Sequence, residues 1–208
     1  MPFARTVLGD IAPEELGIVY AHEHLVIHGG RPIEYQPDFD LSSVEKAVAE
    51  LAPAQALGLR TVVDAMPCDA GRDVLMLADI ARQSGVNVIA PSGLHHERYY
   101  HDRHWSVRLS AEEIADLFVA DIEEGIDELD YNGPVVKRTP HKAGVMKIAG
   151  STDGPSARDE SIFVAAGMAQ YRTGCPILTH CEHGTGALEQ VQLLVEHGGD
   201  PAHIVLSH

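Results

Sequence analysis

The 208-residue sequence has little cysteine and no pattern that would join its cysteines. Cys68, Cys175 and Cys181 are odd in number and lack C-x-x-C spacing. This argues against a disulfide framework and a thiolate zinc site, and it fits a reducing cytosol. The sequence also lacks the apolar segment of a secretory signal and any run near the ~18 apolar residues that cross a bilayer. These absences predict a soluble, cytoplasmic protein.

Basic residues and phosphate-binding glycine motifs are also scarce. Lysine and arginine number 15 against 31 aspartates and glutamates, and the formal net charge of -16 argues against nucleic-acid and anionic-membrane partners. Neither G-x-G-x-x-G nor a P-loop occurs, although a doubly wound nucleotide fold should carry one after an early strand. A small molecule is the expected partner, and a homodimer remains open.

What the sequence does contain is a repeated unit of an apolar strand, a polar loop, an amphipathic helix and a glycine. The first seventeen residues read as a lead-in hairpin, and the repeat begins after it. Strands are predicted over 18–25, 60–64, 86–90, 144–149, 176–180 and 204–208. Helices are predicted over 43–57, 73–84, 110–129, 157–172 and 186–197. The pattern predicts one domain over 1–208, either an open α/β sheet or part of a (β/α)8 TIM barrel.

A barrel places its chemistry at the carboxyl ends of its strands, and ligand-type residues recur there. The first strand ends in His22 and His24, which share one face because strand side chains alternate. Alone, they could be two structural histidines with satisfied hydrogen bonds. Lys147, His180 and His208 lie at or near the ends of later strands, and histidine is the commonest metal ligand. Together they favour a metal site.

A lysine inside a predicted strand, Lys147, allows three interpretations. A buried ammonium without a partner is costly, so its pKa or its chemistry should change. It could form a Schiff base with a substrate. It could react with carbon dioxide to give a carbamate that bridges two metal ions, held ~3.5–4 Å apart as in two-metal hydrolysis. Alternatively, a carboxylate such as Asp64 neutralises it; Asp64 could also orient a metal-bound histidine.

The chain resembles the phosphotriesterase-like branch of the amidohydrolase superfamily. The residues that carry the resemblance are Val7–Asp10, Ala21–Leu25, Ile114–Phe118, Gly144–Ala149, Ile177–His180 and Ile204–His208. The resemblance implies that His22 and His24 bind the more buried metal, that carbamylated Lys147 bridges both, and that His180 and His208 bind the more exposed one. A hydroxide between the ions would be the nucleophile. Zinc is the favoured metal, while manganese, iron and cobalt also suit mixed nitrogen and oxygen ligands.

The sequence departs from this family by lacking a counterpart to the aspartate at the end of strand eight. Six strand–helix units are visible, so strands seven and eight are expected to be missing and the chain to be a fragment. Hydrolysis of a lactone or carboxylic ester is the favoured function, and phosphotriester hydrolysis is the alternative. A truncated metal-binding protein without activity, or a Schiff-base lyase, would be a different class.

The segment after the third strand is expected to hang over the site and to contact substrate. His95, Tyr99 and Tyr100 are candidates there, and His183 is a candidate after the fifth strand. The alternative is an ordered surface loop that holds a dimer or a lid. The basic segment 131–142 joins a helix to the next strand, so it is expected at the opposite face of the barrel.

Overall fold

The computed structural model describes residues 2–152 and 155–208, and it begins with a short antiparallel hairpin. Strands β1 (Ala4–Thr6) and β2 (Gly9–Ile11) pair with Arg5 opposite Asp10. The Arg5 Nε donates to Asp10 Oδ1 at 2.9 Å. The hairpin is anchored to the rest of the chain, because Val7 N donates to the Val88 carbonyl at 2.8 Å.

The main sheet consists of parallel strands whose order in space follows their order in the chain. These are β3 (Ile18–Glu23), β4 (Leu59–Asp64), β5 (Asn87–Ile89), β6 (Pro91–Ser92), β7 (Val145–Gly150), β8 (Ile177–Cys181) and β9 (Ile204–Ser207). β5 and β6 are two halves of one extended segment, interrupted at Ala90; the first half pairs with β4 and the second with β7. The order never reverses as it does in a doubly wound sheet. The described strands therefore form an arc of a (β/α) barrel, as the sequence predicts.

Helices follow the strands close to where the sequence places them. They are α1 (Gly30–Tyr35), α2 (Val44–Ala56), α3 (Val74–Ser84), α4 (Ala111–Glu123), α5 (Ala157–Thr173) and α6 (Ala187–Glu196). Ser110 and Glu113 form a capping box at the start of α4. Ser43 is the N-cap of α2, and its hydroxyl accepts from Lys46 N at 3.3 Å.

The hydrophobic core lies between the sheet and the helices. Phe118 of α4 and Phe163 of α5 are fully buried, and Ile148 of β7 belongs to the same cluster. Each such side chain contributes about 1.5–3 kcal/mol by leaving water. Lys147 is buried in the same strand and is the exception that needs a chemical explanation. Across the described ranges, no helix is long and apolar enough to cross a membrane.

The connection between α4 and β7 differs from the prediction. α4 ends at Glu123 rather than near residue 129, and the following segment folds back through a bridge between Asp127 and Arg138. Its tip reaches the loop after β4, where Asn132 Nδ2 donates to Asp69 Oδ1 at 2.5 Å. The expected position at the opposite face is therefore wrong for this tip. Within the basic segment, Arg138 donates to the buried carboxylate of Asp121 at 2.9 Å.

The outer strands of the described arc are β3 and β9, and both expose apolar side chains. Ile18 and Tyr20 of β3 are 60% and 54% exposed, and Val205 of β9 is 53% exposed. In contrast, every residue of β7 at the centre of the arc is buried. The apolar side chains of these two outer strands are therefore more exposed than those of β7.

Candidate active site

The carboxyl ends of β3, β8 and β9 bring the predicted histidines together. The ring centroid of His22 lies 5.6 Å from that of His24 and 4.9 Å from that of His208. The His180 and His208 rings are 4.5 Å apart. Residues from opposite ends of the chain thus share one site because parallel strands end at the same edge.

Lys147 lies beside these imidazoles, in the middle of β7. Its side chain is 1% exposed, and its Nζ lies 3.4 Å from His22 Nε2. No carboxylate of the described residues forms a salt bridge with it. Burial lowers the pKa of Lys147 to about 8, although the charge of Asp64 acts in the opposite direction. The uncharged amine is therefore accessible near neutral pH.

Gly93 is required by the close approach of the backbone to Lys147. Its φ is +105°, and a Cβ placed on it would lie 2.0 Å from the Lys147 carbonyl oxygen. Only glycine tolerates both this conformation and this contact. The glycine at the end of β6 therefore allows β7 to lie where Lys147 reaches the histidines.

Burial favours the neutral form of three of these imidazoles, those of His22, His24 and His180. Burial first and the nearby Lys147 second lower the pKa of His22 to about 3 and that of His24 to about 4. Burial also lowers the pKa of His180, against the opposing effect of its hydrogen bond to Glu182. Neutral imidazole is the form that binds metal ions.

The chemistry of these donors fits divalent metal ions. His24 Nδ1 is buried without a hydrogen-bond partner among the described residues, and Lys147 lacks a carboxylate. Buried polar groups normally have partners, so the unpartnered Nδ1 of His24 fits a ligand bound there. The donors are not yet arranged as a coordination sphere: in the described ranges no three His, Cys, Asp or Glu side chains form a group that could hold a metal. Two rings are turned to other partners, His22 Nδ1 to Ser207 Oγ at 2.6 Å and His180 Nε2 to Glu182 at 2.8 Å.

Asp64 supports the site through the backbone rather than through an imidazole. Its carboxylate accepts from the N–H groups of Leu25 at 2.7 Å and Val26 at 3.3 Å, directly after His24, and from Met66 at 2.9 Å. Burial raises the pKa of Asp64 to about 7, although these hydrogen bonds oppose the shift. Asp64 therefore fixes the backbone directly after His24.

The segment after β6 divides the predicted substrate residues into two groups. The ring of His95 lies 3.9 Å from the ring of Tyr99 and 5.5 Å from that of His180, so both residues border the site. Tyr100 is 2% exposed, and its hydroxyl donates to the Cys68 carbonyl and accepts from His95 N. This arrangement gives no support to substrate contact by Tyr100, because its hydroxyl is already satisfied inside the fold.

The loop after β8 contains a residue that the sequence pattern did not single out. The predicted His183 lies on the surface with 76% of its side chain exposed. Glu182, in contrast, is 13% exposed and accepts a hydrogen bond from His180 Nε2. A signal for Glu182 was present, since residue 182 is two positions after His180 and alternation along an extended chain places both on one face.

A cleft beside His24 is not the centre of this chemistry. It has a volume of about 510 Å³ and runs along the exposed edge of β3, beside α2. Its lining includes Glu23 and His24, while the other predicted ligands lie outside it. The functional assignment therefore rests on the histidine and lysine cluster.

Comparison with known proteins identifies the family of the chain. The model of the phosphotriesterase family matches residues 2–208. A phospho-furanose lactonase from Mycoplasmopsis synoviae is 42% identical over 99% of this chain and 60% of its own length. An aryldialkylphosphatase from Saccharolobus solfataricus is 32% identical over 95% of this chain and 60% of its own length.

The fold is shared with solved structures as well. The crystal structure of an amidohydrolase from Mycoplasma synoviae superposes with a TM-score of 0.94 at 39% identity, covering 99% of this chain and 60% of that one. The chain thus spans about three fifths of the length of these relatives. On the family match and these identities, the chain belongs to the phosphotriesterase family.

Proposed function

We propose that the protein is a hydrolase of the lactone and phosphoester type, and that its substrate is a furanose lactone that carries a phosphate. The observation that carries the proposal is the cluster of imidazoles around a buried lysine at the carboxyl ends of the strands. The substrate class is supported by the name of the 42% identical relative, a phospho-furanose lactonase.

Five side chains would hold two divalent metal ions, with zinc favoured. They are His22, His24, Lys147, His180 and His208. Two ions bound there would polarise the ester carbonyl and lower the pKa of a water molecule. To contribute oxygen ligands, the neutral Lys147 amine adds to carbon dioxide: an N–C bond forms, one C=O π bond breaks, and the nitrogen loses a proton. The lowered pKa of Lys147 favours this addition, because only the uncharged amine is a nucleophile.

The residues around the cluster would bind and orient the substrate. His95 and Tyr99 form a stacked pair on one side, and Arg98 supplies a positive charge beside them, 5.3 Å from the Tyr99 ring. Burial lowers the pKa of His95 well below its usual value, and its Nδ1 already accepts from His96 N at 3.0 Å. The neutral ring therefore carries its proton on Nε2 and can donate one hydrogen bond to a sugar hydroxyl. An aromatic face with adjacent polar groups suits a small, polar ring.

The test is a hydrolysis screen on the metal-loaded protein with furanose lactones, with and without a phosphate, and with simple esters. We expect the phosphorylated lactones to be cleaved fastest and Lys147→Ala to abolish cleavage. Lys137→Ala is the matched control, since Lys137 is a surface lysine with 68% side-chain exposure. Equal cleavage by Lys147→Ala and the wild type would overturn the proposal.

Phosphotriester hydrolysis is a second candidate activity. It is supported by the 32% identical aryldialkylphosphatase, and the same metal cluster could polarise a phosphoryl group. A triester substrate in the same screen distinguishes the two. A Schiff-base lyase would instead be trapped on Lys147 by borohydride with a carbonyl substrate. A metal-binding protein without activity would bind metal and cleave none of the compounds.

A further inference from the structure

Glu182 is surrounded by nitrogen-bearing side chains from two different loops. It follows β8 directly, and its side chain is 13% exposed. Three imidazoles and one guanidinium lie within 4.0 Å of its oxygens; they belong to His96, Arg98, His180 and His183. A single carboxylate therefore links the loop after β6 to the loop after β8.

The shortest of these contacts fixes the ring of His180. His180 Nε2 lies 2.8 Å from Glu182 Oε2. An ionised carboxylate can only accept hydrogen bonds, so Nε2 must carry the proton. A neutral imidazole has one N–H, and Nδ1 of His180 is then left with its lone pair. The contact to Glu182 therefore decides which nitrogen of His180 is available as a ligand.

Arg98 in turn holds the carboxylate. Its two terminal nitrogens donate to both oxygens of Glu182, at 3.0 and 3.3 Å. This forked geometry restricts the rotation of the carboxylate more than a single contact would. Arg98 lies next to Tyr99, on the segment that borders the substrate site. The contact between Arg98 and Glu182 therefore links the position of this segment to the orientation of the His180 ring.

His96 approaches the same carboxylate from inside the fold. Its Nε2 is buried without a hydrogen-bond partner among the described residues and lies 3.9 Å from Glu182 Oε2. Glu182 therefore lies in a polar pocket built by the protein and is not a freely moving surface side chain. A carboxylate that orients a ligating histidine commonly strengthens metal binding.

We propose that Glu182 is a positioning residue that presents Nδ1 of His180 to a divalent metal ion, and that Arg98 holds Glu182 in this orientation. The proposal rests on the metal-binding role of His180 in the proposed function. It also gives the loop after β6 a second role, because this loop would stabilise a metal ligand on β8, two strands away, in addition to contacting substrate.

The experiment measures metal affinity without any substrate. The intact chain and its Glu182→Gln and Arg98→Ala variants are stripped of metal and titrated with zinc against a chromogenic chelator. We expect Glu182→Gln to weaken binding about 10- to 100-fold, and Arg98→Ala about 2- to 5-fold, as for a partly exposed ion pair. In Glu182→Gln, removal of Arg98 should have no further effect, because its partner is already neutral.

A structural role alone is distinguished by spectroscopy and by a control pair. With cobalt in place of zinc, the visible absorption bands of Glu182→Gln should shift, since the ligand field changes when His180 rotates. Arg98→Lys should recover part of the affinity. Arg172 is the matched control, because it pairs with Asp116 at 2.6 Å on the helix surface, and Arg172→Ala should bind zinc like the wild type.

Three further outcomes would overturn the positioning role of Glu182 or the proposed function. Unchanged zinc affinity and an unchanged cobalt spectrum in Glu182→Gln would overturn the proposal while leaving the metal site intact. If Glu182→Gln does not fold, unchanged affinity in Arg98→Ala overturns it. If the wild type binds neither zinc nor cobalt, the proposed function fails as well.

Discussion

His22 Nε2 lies 3.4 Å from Lys147 Nζ, although the two residues are 125 positions apart in the chain. Two cations cannot both remain charged at this distance in a buried site, and the pKa values of both groups are lowered by burial. The contact joins β3, one of the two outer strands of the described arc, to β7 at its centre. It places an uncharged amine and an uncharged imidazole side by side, which is the arrangement a shared metal site needs.

The reactivity of Lys147 should depend on pH in a defined direction. The pKa of Lys147 is lowered by burial to about 8, so its amine becomes uncharged as the pH rises through this value. We expect carbamate formation from labelled bicarbonate to increase between about pH 7 and pH 9. An ordinary lysine would show the same increase roughly two pH units higher. Carbon-13 NMR of the metal-free protein measures the signal. Lys147→Met should remove it; a signal of equal size in that variant would assign the carbamate to another amine.

Substitution of Gly93 should disturb the site from a distance. A Cβ in Gly93→Ala would meet the Lys147 carbonyl oxygen at 2.0 Å, and its φ of +105° is strained for alanine. We expect a loss of on the order of 1–3 kcal/mol in unfolding free energy and weaker metal binding, measured by urea denaturation and zinc titration.

Gly9→Ala separates backbone strain from the clash. Gly9 has a φ of +131°, but a Cβ added to it would have no neighbouring atom within 4 Å. It should lose stability without losing zinc affinity. Equal zinc affinity in Gly93→Ala and the wild type would show that the close approach of β6 and β7 does not position Lys147.

Asp64 should make the stability of the protein depend on pH. Burial raises its pKa to about 7 in the folded state, so between about pH 4 and pH 7 the folded chain binds a proton that the unfolded chain has lost. This contribution to stability is full below the unfolded pKa and is lost as the pH rises to 7. Asp64→Asn lacks the titration, so the stability of the wild type relative to Asp64→Asn should fall from about pH 5 to about pH 7.5. Urea denaturation at both values measures it, and a constant difference would contradict a raised pKa.

His95 should affect substrate selection more than metal content. It is buried beside Tyr99, and its ring lies 5.5 Å from that of His180. We expect His95→Ala to change the ratio of kcat/KM values across a panel of lactones while zinc content stays constant. His101 lies on the same segment with 63% of its side chain exposed, and His101→Ala is the control. Unchanged kcat/KM ratios in His95→Ala would show that His95 does not contact the substrate.

The sequence predicted the strand-end residues well because two local rules determine them. Alternation along a strand places His22 and His24 on one face, and parallel strands end at one edge, so the cluster follows from the strand assignments. The family prediction is confirmed by the match over residues 2–208. The individual ligand roles stay predictions, since the contacts show proximity and neutral rings rather than coordination.

The features that the sequence did not predict depend on contacts between distant loops. The end of α4 at Glu123 is followed by the bridge between Asp127 and Arg138, which no local pattern indicates. Likewise, the sequence around Glu182 does not indicate its contact with Arg98, which lies 84 positions earlier in the chain. Side-chain hydrogen bonds, such as that from Tyr100 to Cys68, also decide which loop residues turn inward.

The most direct measurement is the metal content of the purified protein and of Lys147→Ala after loading with zinc, determined by plasma mass spectrometry. A carbamate-bridged site predicts about two ions per wild-type chain, far fewer in Lys147→Ala, and partial recovery with a small carboxylic acid that replaces the carbamate. Lys137→Ala should match the wild type. Full metal content in Lys147→Ala without added acid would contradict the central role of the buried lysine.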